Sequence, residues 1–107
     1  MLDDEILTIA ERIGKAVMPN KIYLFGSFAR GDAGKHSDYD IYIVMPNGSG
    51  NNHDICQRAY CSLLGMKRQR GADILVADEA TFDRRKVKQT IEQDVAKEGI
   101  LLYERRA

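Results

Sequence analysis

The sequence predicts a single α/β (α+β) domain of two or three layers. Apolar patterning switches between helical and strand periods in the order helix, strand, short helix, strand, helix, strand, helix, strand. The chain has 107 residues, and no repeat, linker or low-complexity stretch divides it, so one domain spans 1–107. By size scaling its 12.1 kDa would expose about 6,000 Å² folded against about 17,500 Å² unfolded, which is enough burial for one core.

Each element has a local reason. Residues 3–17 carry Ile6, Ile9, Ala10, Ile13 and Val17 at three- and four-residue steps, with Asp3, Asp4 and Glu5 where the helix dipole favours negative charge. Pro19-Asn20 ends that pattern. Lys21 to Phe25 is a short run of strand formers leading directly into Gly26-Ser27. Phe28 to Arg30 forms a short helix that Gly31 can stop. After the polar loop 32–37, Asp38 to Met45 reads as a second strand, and the cluster 46–52 as a turn. Residues 53–66 follow as a helix with Asn52 as N-cap and Ile55, Ala59, Leu63 and Leu64 on its apolar stripe. Ala72 to Ala77 is a third strand, and 80–98 a last helix with Val87, Ile91 and Val95 in register. Gly99 fits as the stop of that helix, and Ile100 to Tyr103 as a short edge strand. The connection between the first two strands leaves their relative direction open on length alone.

Composition excludes several function classes. Lys plus Arg and Asp plus Glu are 16 each, so the basic surplus of a general nucleic-acid binder is absent. No apolar run reaches the ~18 residues of a membrane helix, and the acidic start Met1 to Glu5 is unlike a signal peptide. Cys56 and Cys61 stand five apart on different faces of one helix, so they cannot bridge, and no thiolate metal site is available. A reducing cytoplasm is the simplest expectation.

The chemistry concentrates in three acids and one turn. Asp38 and Asp40 fall at i and i+2 of a strand and so face the same side, with alpha carbons about 6.6 Å apart. Two anions ~5 Å apart repel by about 0.8 kcal/mol in water and about 3 kcal/mol at an effective dielectric near 20, so a cation should offset them. Mg²⁺ suits a carboxylate pair that also meets phosphate oxygens. Asp73 opens an otherwise apolar strand, where a charge needs an exposed end or a partner. If that strand lies beside the second, the three acids share one edge and could hold two Mg²⁺ ions ~3.5–4 Å apart, the geometry of two-metal phosphoryl transfer. Gly26-Ser27, between a strand and a helix, offers backbone N–H groups and a hydroxyl suited to phosphate. Neither a P-loop nor Gly-x-Gly-x-x-Gly occurs.

The run Gly26-Ser27-Phe28-Ala29-Arg30-Gly31, ten further residues after Ser27, and then Asp38-Tyr39-Asp40 ahead of apolar Ile41 to Val44 resembles the nucleotidyltransferase superfamily of DNA polymerase β. More narrowly it resembles the minimal nucleotidyltransferase (MNT) domain. Ala72-Asp73-Ile74-Leu75-Val76 and the ending Gly99 to Glu104 extend the likeness over nearly the whole chain. The resemblance implies a mixed sheet of three to four strands flanked by helices. It implies that Gly26 and Ser27 hold the triphosphate, that Asp38 and Asp40 bind Mg²⁺, and that Asp73 binds the second ion and helps activate the acceptor hydroxyl. It gives Arg30 the neutralisation of phosphate charge. The implied reaction is attack of a hydroxyl on the α-phosphate of ATP. The implied partner is a HEPN-type helical toxin, adenylylated on a tyrosine, with this chain as the antitoxin.

Each feature has a plainer reading. Gly26-Ser27 alone is a turn, Asp38 and Asp40 a solvated strand face, Asp73 a strand-start acid and Arg30 a surface ion-pair partner. The Tyr23, Tyr39, Tyr42 and Tyr60 set is expected to pack, and Lys67, Arg68, Arg70, Arg84, Arg85 and Lys86 to form solvated faces. Two other functions stand beside adenylylation. One is a non-catalytic nucleotide-binding module that masks a helical partner; the other is a small-molecule nucleotidyltransferase that completes its pocket by dimerising.

Overall fold

The computed structural model describes residues 2–105. Helix α1 (Asp4–Val17) leads into β1 (Lys21–Phe25), the single turn α2 (Ser27–Arg30), β2 (Tyr39–Met45), α3 (Asn52–Cys61), β3 (Ala72–Asp78), α4 (Glu79–Arg85), α5 (Ile91–Glu98) and β4 (Ile100–Glu104). The strands form one mixed sheet in the order β3-β2-β1-β4. β1 runs antiparallel to both β2 and β4, while β2 and β3 are parallel, joined by a crossover through α3. The direction left open by loop length is thus antiparallel, and Ile100–Glu104 is an edge strand as expected.

Strand periodicity divides the sheet into two faces. Ile22, Leu24, Tyr39, Ile41, Ile43 and Met45 pack with Ile6, Ile9, Ile13 and Val17 of α1 and with Ile55, Ala59 and Leu63 from α3 and the turn after it. The alternate residues Tyr42, Val44 and Ala77 face Phe82 of α4 and Val95 of α5, with Tyr23 and Phe25 at the margin. Three layers result, and the parity matters for function. Asp40 shares parity with Tyr42 and Val44, so it belongs to the α4/α5 face, near the start of β2. No helix among the described residues is long and apolar enough to cross a membrane.

Several boundaries differ from the expected pattern. The last helix is broken at 86–90: the Thr90 hydroxyl donates to the Arg85 carbonyl at 2.7 Å and accepts from the Gln93 N–H at 3.2 Å, so a new helix starts there. Val87 is then 72% exposed and Ile91 49% exposed, and only Val95 of the expected stripe is buried. The third helix ends at Cys61 instead of 66 and leaves Leu64 exposed. Its cap is Asn51, not Asn52, accepting from the His53 N–H at 2.7 Å. The second strand begins at Tyr39, so Asp38 stands one residue ahead of it, and the third runs on to Asp78, which caps α4. Gly99 does end α5, but in extended rather than left-handed backbone; a side chain there would overlap the Val95 carbonyl.

The break also turns Glu92 inward. Its carboxylate accepts from the Tyr42 hydroxyl at 2.7 Å and from Arg85 Nε at 2.9 Å. Burial alone would raise this carboxyl; the hydrogen bonds from Arg85 and Tyr42 outweigh it and hold the group below its ordinary value. An acid lowered in the folded state contributes stability that is fully present above its unfolded value and is lost as pH falls through the folded one. Glu92→Gln is expected to lower stability at pH 7 by about 1–3 kcal/mol. It should also flatten the decline below about pH 4.5, as urea melts at pH 7, 5 and 3 would register.

Candidate functional site

Register builds the site. The parallel pairing of β2 with β3 sets Asp40 directly opposite Asp73, and the antiparallel pairing of β1 with β2 sets Phe25, just before Gly26, opposite Asp40. Neighbouring strands lie about 4.8 Å apart, so Asp40 and Asp73 are side by side on one face. The end of β1 and the starts of β2 and β3 therefore meet at one sheet edge, which brings Gly26, Asp38, Asp40 and Asp73 together.

The electrostatics agree with that placement. Asp40 is half-buried, whereas Asp38 and Asp73 are exposed. Burial raises the Asp40 carboxyl above its ordinary value, the negative charges of Asp73 and Asp38 raise it further, and Arg30 pulls it partly back. Three acids and one cation thus act on a single spot. Arg30 itself is exposed and bonds Asp32 at 3.3 Å.

Gly26 is locked to Asp40. Its backbone, at φ +72° and ψ −150°, lies in a region open essentially to glycine, and a Cβ at this position would overlap Asp40 Oδ2. Ser27 then opens α2, which ends at Gly31 as the sequence predicts, with Gly31 in left-handed backbone. With only four residues, α2 leaves its first N–H groups without intrahelical partners.

Asp38 is held by a residue that the sequence reading did not single out. Its Oδ1 accepts from the Gly71 N–H at 3.2 Å, and Gly71 in turn accepts from the Tyr39 N–H at 3.0 Å. A Cβ on Gly71 would come within 2.9 Å of that same Oδ1. Arg70, expected on a solvated face, instead donates from Nη1 to the carbonyls of Gly34, Lys35 and Ser37. An Arg-Gly pair directly ahead of an apolar strand that opens on an acid is the signal that would have marked it. A polar hollow of about 240 Å³ lies beside Asp38, rimmed by Lys35, His36, Gln69 and Arg70. Three of the four tyrosines pack as expected: Tyr39 and Tyr42 are buried and Tyr23 stacks on Phe82, whereas Tyr60 is exposed and its hydroxyl accepts from the Ile74 N–H. Burial, and then Glu5, push the Tyr39 phenol up to about 12, so it stays neutral.

Among the described residues no three His, Cys, Asp or Glu side chains stand close enough to hold a metal ion as they are. The donor set is nevertheless all carboxylate oxygen, which suits a hard divalent cation, and the contact between Gly26 and Asp40 leaves no side chain over it.

Residues 8–107 match the family described as Polymerase beta, Nucleotidyltransferase. The chain belongs to this family. Its relatives and structural neighbours extend that result. A protein of Methanocaldococcus jannaschii named "Putative protein adenylyltransferase" is 35% identical over 83 residues, 78% of this chain and 77% of its own length. The crystal structure of a "putative nucleotidyltransferase" from Sulfolobus solfataricus is 26% identical, with a TM-score of 0.61 over 94% of this chain and 82% of that one. A toxin–antitoxin structure with AMP-PNP has a TM-score of 0.56 at 20% identity, covering 94% of this chain and 74% of that one, and so shares the fold. The nucleotidyltransferase fold expected from the sequence, with its four-stranded mixed sheet and flanking helices, is thus the one observed.

Proposed function

We propose that this chain is a Mg²⁺-dependent adenylyltransferase that moves AMP from ATP onto a hydroxyl, a tyrosine of a HEPN-type helical toxin, and so serves as that toxin's antitoxin. The observation that carries the reading is Asp40 in register with Asp73, with Gly26 pressed against Asp40. A nucleotidyltransferase family and a relative named for protein adenylylation support the reaction class. The toxin–antitoxin neighbour with AMP-PNP supports a protein partner and a nucleotide.

In this reading Gly26 and Ser27 hold the triphosphate through backbone N–H groups and the Ser27 hydroxyl, and Arg30 offsets phosphate charge. Asp38 and Asp40 would bind Mg²⁺, Asp38 through its oxygen not bonded to Gly71, and Asp73 would bind the second of two ions. When bound, Mg²⁺ supplies the positive charge that offsets three acids and the developing charge on phosphate. Asp73 accepts the proton of the acceptor hydroxyl. The hydroxyl oxygen forms a bond to the α-phosphorus, the bond to the bridging oxygen breaks, and pyrophosphate leaves. The chain acts as one domain, 1–107, and the partner completes the acceptor side. The unpaired Cys56 and Cys61 support a cytoplasmic setting.

Co-expression with the adjacent reading frame, followed by incubation with Mg²⁺ and ATP, tests this by intact mass. A gain of one or more AMP units on the partner is expected. A stable complex whose partner mass never changes, with any of the four triphosphates, would instead identify a masking module. Transfer to an aminoglycoside-type hydroxyl without a partner would identify a small-molecule enzyme.

A further inference from the structure

We propose that Arg70 is a positioning residue that ties the two halves of the site together and sets where Asp38 stands; this rests on the metal–nucleotide reading above. One guanidinium reaches both halves. Its Nη1 donates to the carbonyls of Gly34 at 3.1 Å, Lys35 at 3.3 Å and Ser37 at 3.0 Å, the backbone that delivers Asp38. Its Cζ also lies 4.9 Å from the centre of the Phe28 ring, in the α2 turn that Ser27 opens after Gly26. Phe28 in turn rests on Tyr39, ring centres 4.7 Å apart, between Asp38 and Asp40 in sequence.

The segment so clamped needs an anchor. Residues 31–38 lie between α2 and β2 outside regular structure, and the Gly34 N–H to Ser37 Oγ bond at 2.8 Å and the Ser37 N–H to Gly34 carbonyl bond at 3.2 Å close only a local turn. Arg70 fixes that turn to the lead of β3, and Gly71 beside it holds Asp38 Oδ1. Asp38 precedes β2, so the sheet alone does not set it as it sets Asp40. Arg70 and Gly71 thus do for Asp38 what strand register does for Asp40 and Asp73. Groups that orient a ligating carboxylate from outside typically change metal affinity 10–100-fold when removed.

Two readouts test this: amide hydrogen exchange, and calorimetric affinity for AMP-PNP with Mg²⁺. Arg70→Ala is expected to speed exchange in 33–38 about tenfold, leave β1 and β2 protected, and weaken Mg²⁺–AMP-PNP binding at least about tenfold. The exposed neighbour, in Arg68→Ala, should change neither. Arg70→Lys keeps a cation and three donors and should recover part of the affinity. Gly71→Ala should weaken binding by displacing Asp38 while exchange in 33–36 stays slow, which keeps the test open even where Arg70→Ala fails to fold. Faster exchange with unchanged affinity, or no change in either, overturns the proposal. Wild-type protein that does not bind Mg²⁺–AMP-PNP overturns the site reading itself, and this inference with it.

Discussion

Asp40→Asn is expected to reduce nucleotidyl transfer by on the order of 10³-fold while the protein stays folded and becomes more stable at neutral pH. Both effects have one origin. Asp40 is half-buried between Asp73, Asp38 and the Gly26 backbone, and its carboxyl is raised by burial first and by the two neighbouring acids next. An acid raised in the folded state binds its proton more tightly there than in the unfolded chain. Stability therefore falls as pH climbs from the unfolded value through the folded one, and the loss persists above it. Asparagine removes that repulsion and, with it, the proposed metal ligand. Thermal melts at pH 7 without divalent ions should give a higher Tm for the variant. Excess Mg²⁺ with nucleotide should stabilise the wild type and not the variant, which reverses the order. A variant that is less stable at pH 7 would contradict the strained-acid account.

Gly26→Ala is expected to lose both activity and stability. The backbone at φ +72° and ψ −150° costs a non-glycine residue about 1–3 kcal/mol, and the added methyl overlaps Asp40 Oδ2. For a chain of this size each kcal/mol lowers Tm by roughly 4–8 °C. Relief requires Asp40 to turn or the β1–α2 corner to open, and either separates the proposed triphosphate turn from the acids. Transfer should fall by at least about 100-fold, the scale of a small misplacement at a reacting centre. Gly31→Ala is the control. Gly31 is also left-handed, at φ +84°, but a side chain there meets nothing within 4 Å, so it should cost stability without matching the loss of transfer.

The strands and the acids were legible in the sequence because their signals are short-range. Lys21–Phe25 is found where its run of strand formers places it, and Asp40 and Asp73 are the second residues of strands whose apolar runs leave an acid little place but the strand end. The register that sets those two acids opposite each other depends on the parallel pairing of β2 and β3, which no local pattern encodes. The break at 86–90 was hidden because Val87, Ile91 and Val95 keep a helical period while Thr90 and Glu92 gain more from a cap and an inward carboxylate. Arg70 looks like a surface residue in the sequence because its partners are backbone carbonyls some 33–36 residues away, a contact that composition and periodicity cannot register.

The most direct test of the site is calorimetric titration of AMP-PNP into wild-type protein and into the Asp40→Asn, Asp73→Asn double variant, each with Mg²⁺ and with a chelator. Binding to the wild type that requires Mg²⁺ and disappears in the folded double variant is the result expected of acids that hold metal and nucleotide between β2 and β3. Equal binding by both proteins, or binding indifferent to Mg²⁺, would contradict it.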